Sequence, residues 1–228
     1  MPTAQSAASA CHRAVRARFE QFILAQDHPC VMAQTVFRMD QVAYHYYDYL
    51  ADEQQNPRIL CDLGAYLDAY DFTGRTFYTF LAIFKREPTL SEVAFEQKLW
   101  AQLQGLHDID TAPWDATVSA DPADGSFSMS LASKAFYVVG LHPGASRAAR
   151  RSPYAAIAFN LHRQFEELRS MGAYHVVRDK IRKRDVQRNG SYNPMMEDFG
   201  TGSSEAKQYS GRQVDKSWRC PFRYKKSA

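Results

Sequence analysis

Seven histidines are spread through the 228 residues, and two stand where an imidazole can be put to chemical use. His142 ends the apolar run 134–141 and is fixed from behind by Pro143; Arg147, Arg150 and Arg151 lie on the segment after it. An imidazole presented rigidly in this way can ligate a metal or a haem iron. Arginines beside it suit carboxylates, because the planar guanidinium makes paired, charge-assisted hydrogen bonds. The same residues serve equally well as a strand-capping histidine followed by a solvated basic loop. His162 ends a second apolar run, 154–161, with Asn160, Gln164 and Glu166 close by. So many polar groups at one strand end fit either a pocket wall or the cap of the following helix.

The remaining reactive residues give weaker patterns. Cys30 follows Pro29 at an expected helix start, where unpaired N–H groups and the helix dipole would lower a thiol pKa. Cys220 precedes a proline in "WRCPF", a context in which a thiolate can hold haem iron, although a buried structural cysteine is the commoner use. His45 lies among Tyr44, Tyr46, Tyr47 and Tyr49, which reads as an aromatic packing face rather than a redox wire. The basic run 178–185 can grip phosphate, but on a helix it reads as a solvated face paired with Asp179 and Asp185. It lacks interleaved aromatic platforms, and no glycine-rich phosphate loop accompanies it, so nucleic acid is not the expected partner.

The elements that must position these groups follow from hydrophobic periodicity. Helices are expected at 12–25, 30–50 and 57–70, the second from Val31, Thr35, Met39, Val42 and Tyr46 at spacings of three or four. A strand is expected at 76–84, then a helix behind a capping box formed by Thr89 and Glu92. Strands at 126–131 and 134–141 flank Ala132-Ser133 as a hairpin, and 154–161 is a strand running into the helix "HRQFEELRS". Helix is expected again at 173–188, and beyond Gly190 an irregular wrap. The expected fold is α+β, a single domain over 1–228 with a mixed, mainly antiparallel sheet packed with helices and with 1–27 as a loosely attached N-terminal helix.

Composition bounds what such a fold can be. The chain is 45% apolar, enough for one well-filled core, and holds no run of about 18 apolar residues, so no membrane span is expected. The N-terminus lacks the apolar core of a secretory signal, and the four cysteines are widely spaced with no C-x-x-C pair. The expectation is a cytoplasmic protein with free thiols. A net charge of +3 conceals an asymmetry: residues 142–228 carry 18 Lys and Arg against 8 Asp and Glu, and residues 1–141 carry 10 against 17. A basic half of this kind can hold nucleic acid, or the carboxylates or phosphates of a small cofactor.

Longer blocks carry a resemblance. "HPCVMA", "FEQKLWAQLQGLHDID", "FSMSLASKAFYVVGLHP", "GLHPGASRAARRSPY", "FNLHRQFEELR", "SYNPMMEDFG", "SEAKQYSGR" and "WRCPF" resemble successive blocks of the YqcI/YcgG family, from about residue 28 to 222. Lys207, Arg163 and the turn in "SLASKAF" depart from that pattern and bear on the substrate more than on the cofactor. Some proteins resembling this family are haem-dependent N-oxygenases that hydroxylate a guanidine or related nitrogen in the biosynthesis of guanitoxin and similar natural products. The resemblance therefore implies haem b, dioxygen, an external electron donor and a small guanidine or amine substrate. It makes His142 the expected proximal iron ligand, with His162 or a thiolate of Cys30 or Cys220 as the alternative. Arg147, Arg150, Arg151, Asn160 and Arg212 become expected cofactor contacts, and His162, Glu166 and Glu205 expected catalytic or substrate-anchoring groups. A homodimer is left open. The competing readings are a non-enzymatic haem-binding or sensing protein, and a binder of anions or nucleic acid built on the basic half.

Overall fold

The computed structural model describes residues 4–25, 28–195, 199, 202 and 204–225, with side chains from residue 9. In chain order the elements are α1 (Ala4–Glu20), prolonged by one wider turn through Ala25, α2 (Val31–Arg38), β1 (Val42–Tyr47), α3 (Asn56–Ala69), β2 (Thr79–Phe84) and α4 (Glu92–Ile109). These are followed by β3 (Met129–Leu131), β4 (Lys134–Leu141), β5 (Ala155–Leu161), α5 (His162–Ser170), α6 (Tyr174–Asn189) and the short α7 (Ala206–Tyr209). The strands form one sheet in the order β1-β2-β5-β4-β3. Only β1 and β2 run parallel; every other neighbour pair is antiparallel. This is the expected α+β class.

One element differs from its expected form. The helix anticipated over 30–50 stops at Arg38, where Asp40 takes a positive φ of 55° that a helix cannot continue through. Residues 42–47, "VAYHYY", then form a strand. Their β-branched and aromatic side chains fit a pleated surface, and this preference prevails over the coincidental helical spacing of Val42 and Tyr46. The cap of α4 also moves: Ser91, not Thr89, accepts a hydrogen bond from the N–H of Ala94 at 3.2 Å. The anticipated hairpin is present, with Ala132 and Ser133 both at positive φ, the conformation of a two-residue turn that matches strand twist.

Alternation along the strands sorts side chains onto two faces. Phe80, Ala82, Phe84, Phe136, Val138, Ile157 and Phe159 pack with Leu63 of α3 and Phe95, Leu99 and Leu103 of α4. The opposite face, with Leu81, Ile83, Leu141 and Ala156, is covered by Val15, Phe19, Phe22 and Ile23 of the N-terminal helix. Phe19 is fully buried, so this helix is a wall of the domain rather than a loose attachment. Beyond α6 the chain wraps back over β4, and Trp218, Cys220 and Phe222 pack against the first core. The sheet and the C-terminal wrap approach closely at Gly140, where a Cβ would lie 2.8 Å from both the Phe95 ring and the Tyr209 carbonyl.

Candidate functional site

The second face of the sheet is not filled. Tyr137 and Val139 of β4 and Ala158 and Asn160 of β5, with Leu81 of β2, floor a cavity of about 280 Å³ roofed by Phe19, Val36 and Ile181. Its walls are mostly hydrocarbon. Polar groups enter it from the ends of the elements: His28 and Cys30 ahead of α2, His162 at the start of α5, Arg147 and Arg150 after β4, Arg169 from α5, Arg178 and Arg182 from α6, and Glu205 before α7. Strand alternation explains which of the expected residues arrive. Asn160 and His162 share the parity of Ala158 and face the cavity, whereas His142 shares the parity of Phe136, Val138 and Gly140 and faces α4.

His142 accordingly lies outside the cavity. It is buried, its ring stacked on Phe95 at 4.2 Å between centroids, with Nδ1 lacking a hydrogen-bond partner among the described residues. Burial holds its pKa down against the opposing field of Glu92. Arg151 is also turned away, its guanidinium held by the carbonyls of Ala145 (2.8 Å) and Ser146 (2.7 Å). Arg212 lies on the α4 side, paired with the buried Glu96 at 2.5 Å. These three expected cofactor contacts are thus employed in packing or ion pairs outside the cavity.

The groups that do meet there differ in how committed they are. His28 is satisfied at both nitrogens: Nε2 is 2.9 Å from the Ala149 carbonyl and Nδ1 accepts from the Cys30 N–H at 3.2 Å. Burial holds its pKa at about 4, so it is a neutral, structural imidazole. Cys30 is the N-cap of α2, its sulfur accepting from Ala33 N–H at 3.4 Å. The thiol pKa is raised, not lowered, because burial outweighs the helix start. Burial likewise pushes Cys220 up to about 12, under the C-terminal wrap and away from the cavity.

His162 is the uncommitted imidazole. Its ring packs on Phe199 at 4.3 Å, and the one carboxylate at ion-pair distance among the described residues is Glu166, 3.8 Å from Nε2. Burial lowers its pKa, which keeps the ring neutral and a lone pair available at neutral pH. Glu166 is half exposed and paired with Arg169, outside the cavity. Arg150 is fully spent on the carbonyls of Gly140, Gln208 and Tyr209. Arg147 donates to Asp185 at 2.5 Å and to the Ser191 carbonyl at 2.7 Å. Asn160 holds the sheet together through Tyr137 O and Thr79 Oγ1.

Glu205 is the least ordinary group present. It is buried, and its Oε1 accepts hydrogen bonds from Tyr209 (2.5 Å) and Ser128 (2.8 Å), with no cation within ion-pair distance among the described residues. Burial raises its pKa to about 7 in spite of those two donors. The basic run on α6, anticipated as a solvated face, instead sends Arg178 and Arg182 to the cavity wall and leaves Lys180 and Lys183 exposed. Five arginines face the cavity against the carboxyls of Asp185 and Glu205. The sequence signal that distinguishes His162 from His142 is the period-two count along β4 and β5; His28, Tyr137 and Arg169 had no comparable signal.

The fold and site define a single α+β domain with an internal, cation-rimmed apolar ligand cavity. The YqcI/YcgG family model matches residues 19–223, and the chain belongs to that family. No curated protein and no solved structure matches the chain. Among the described residues no helix is long and apolar enough to cross a membrane, and no group of three or more His, Cys, Asp or Glu forms a metal site.

Proposed function

We propose that the chain is a haem-dependent N-oxygenase acting on a small guanidine or amine. The observation that carries this is the cavity itself: hydrocarbon walls that would accept a macrocycle, one uncommitted neutral imidazole, and arginines in excess over carboxylates that would meet a dianionic edge. The donor set fits a haem. His162, rather than the expected His142, would hold the iron, and Arg169, Arg178 and Arg182 would meet the propionates, with Arg147 and Arg150 holding the rim by their own hydrogen bonds.

Haem supplies dioxygen activation when bound. The net reaction inserts one oxygen atom into an N–H bond; the other leaves as water, with two electrons from an external donor and two protons. The protein's share is position and environment. Phe19, Val36, Leu81 and Val139 keep water away from the reacting groups. Glu205 anchors the substrate cation, since a buried cation requires a carboxylate partner, and before a cation arrives burial holds its pKa near 7, so that its carboxyl is close to half protonated at neutral pH. Arrival of a guanidinium or ammonium favours its ionised form, and Ser128 and Tyr209 hold Oε1 in place meanwhile.

The test is the absorption spectrum of protein from haem-supplemented cells, followed by substrate turnover with reductant. A near-stoichiometric Soret band that is lost in His162→Ala and kept in His142→Ala is expected. A protein that stays colourless when offered haem overturns the reading. Haem uptake with no hydroxylated product from any guanidine or amine reduces it to a haem-binding protein.

A further inference from the structure

A second, wider pocket of about 680 Å³ lies on the outer side of the wall formed by His162, Arg169 and Phe199. It is built where three elements end: the loop carrying Phe72, the hairpin turn with Ser133 and Lys134, and the first turn of α5 with Arg163. Two of its cations are uncommitted. Lys134 Nζ sits 4.9 Å and the Arg163 guanidinium 5.7 Å from the centre of the same Phe72 ring, and neither has a carboxylate within 4.0 Å among the described residues. One Arg163 terminal nitrogen, Nη1, is buried with no hydrogen-bond partner there.

The acidic groups of this pocket are, by contrast, already used. Asp115 accepts from the N–H groups of Thr117 and Ala135, each at 2.9 Å, and from the Thr117 hydroxyl, which hold its pKa low. Glu166 is paired with Arg169. The start of α5 adds to the positive side, because Leu161 at its N-cap makes no side-chain capping bond and the first-turn N–H groups have no partner within the helix. Two cations on one aromatic face with no carboxylate at ion-pair distance, an orphaned guanidinium nitrogen and an uncapped helix start give the pocket a positive side among the described residues, opposite an Asp115 and a Glu166 already held by other donors.

We infer that this outer pocket binds an oxyanion, the carboxylate or phosphate group of a small molecule, through Lys134 and Arg163. Arg163 is the specific contact, since its planar fork and unfilled Nη1 suit two oxygens of one anion, and Lys134 supplies charge. The site is separate from the cavity assigned to haem, and neither requires the other.

The experiment is calorimetric titration of the full chain with inorganic phosphate and, separately, acetate, each balanced with chloride to constant ionic strength. Saturable binding of at least one anion, weakened at least tenfold in Arg163→Ala and in Lys134→Ala and only partly restored in Arg163→Lys, which keeps the charge without the fork, is the expected result. Tighter binding of phosphate identifies a phosphate-bearing ligand, and equal or tighter binding of acetate a carboxylate. Absence of saturable binding, or affinity unchanged in the Lys134→Ala/Arg163→Ala double variant with unaltered circular dichroism and melting temperature, overturns the inference. Repeating the titration on Val36→Trp, which narrows the inner cavity from a residue that does not line the outer pocket, separates the two sites: loss of haem there with phosphate or acetate affinity intact is expected, and loss of both rejects their independence.

Discussion

At the scale of single residues, the chemistry of the cavity is decided by which side chains are left unsatisfied. His28 and His162 both face it, yet only His162 keeps its ring nitrogens free of hydrogen bonds among the described residues. Glu205 carries the most consequential prediction. Its folded-state pKa of about 7 lies above the ordinary carboxyl value, so the native state binds the extra proton and the group costs increasing stability as pH rises from about 4.5 to 7. The full cost above that range is about 3 kcal/mol, set by the rise from the ordinary carboxyl value to about 7. Glu205→Gln keeps both hydrogen bonds without the charge. Denaturant unfolding should find it more stable than the native chain at pH 8, by on the order of 1–3 kcal/mol, with the difference vanishing near pH 4.5. A constant difference across that range would show that the carboxyl titrates normally. The same variant should bind a guanidinium substrate at least tenfold more weakly at pH 8, measured by calorimetry, because the anchoring charge is gone.

At the scale of elements, two local features set measurable energies. Ala132 and Ser133 hold φ of 49° and 61°, a strained choice for residues with a Cβ. Replacing them with Asn-Gly should stabilise the hairpin by about 1 kcal/mol, read as a higher melting temperature, since these residues tolerate the left-handed region. Gly140 permits the opposite case. Gly140→Ala would drive a methyl into Phe95 and the Tyr209 carbonyl and should cost about 2–3 kcal/mol in denaturant unfolding. Most elements were legible in the sequence because their local and tertiary signals agree: α3, α4, β4, β5 and α5 follow their periodicity closely. The region from Val31 to Tyr47 was not, because Val42 and Tyr46 satisfy a helical spacing by chance and the break at Asp40 depends on a backbone angle with no composition cue. The site was half legible. His162, Glu205, Arg147, Arg150 and Asn160 do reach one cavity, whereas His142 required knowing that β4 buries both faces, so that alternation and not polarity decides where it points.

At the scale of the whole molecule, the cavity exists because the N-terminal helix spans it as a roof. Phe19 and Ile23 line it directly, so removing residues 1–25 should abolish haem retention and lower the melting temperature together. Retention of a full Soret band by that truncated chain would show that the ligand site lies elsewhere. The sheet order carries one more consequence. β2 lies beside β5, so Phe80 must find Phe159 across about a third of the chain, whereas β3, β4 and β5 join through local or moderate connections. Closing so long a loop is slow relative to the hairpin. The floor of the cavity is contributed from both sides of that late seam, by Leu81 from one and Ala158 from the other. A partly folded chain thus has no pocket to offer, any ligand captured there acts only on the finished native state, and refolding with excess ligand should raise the final yield of native protein while leaving the rate of its appearance unchanged.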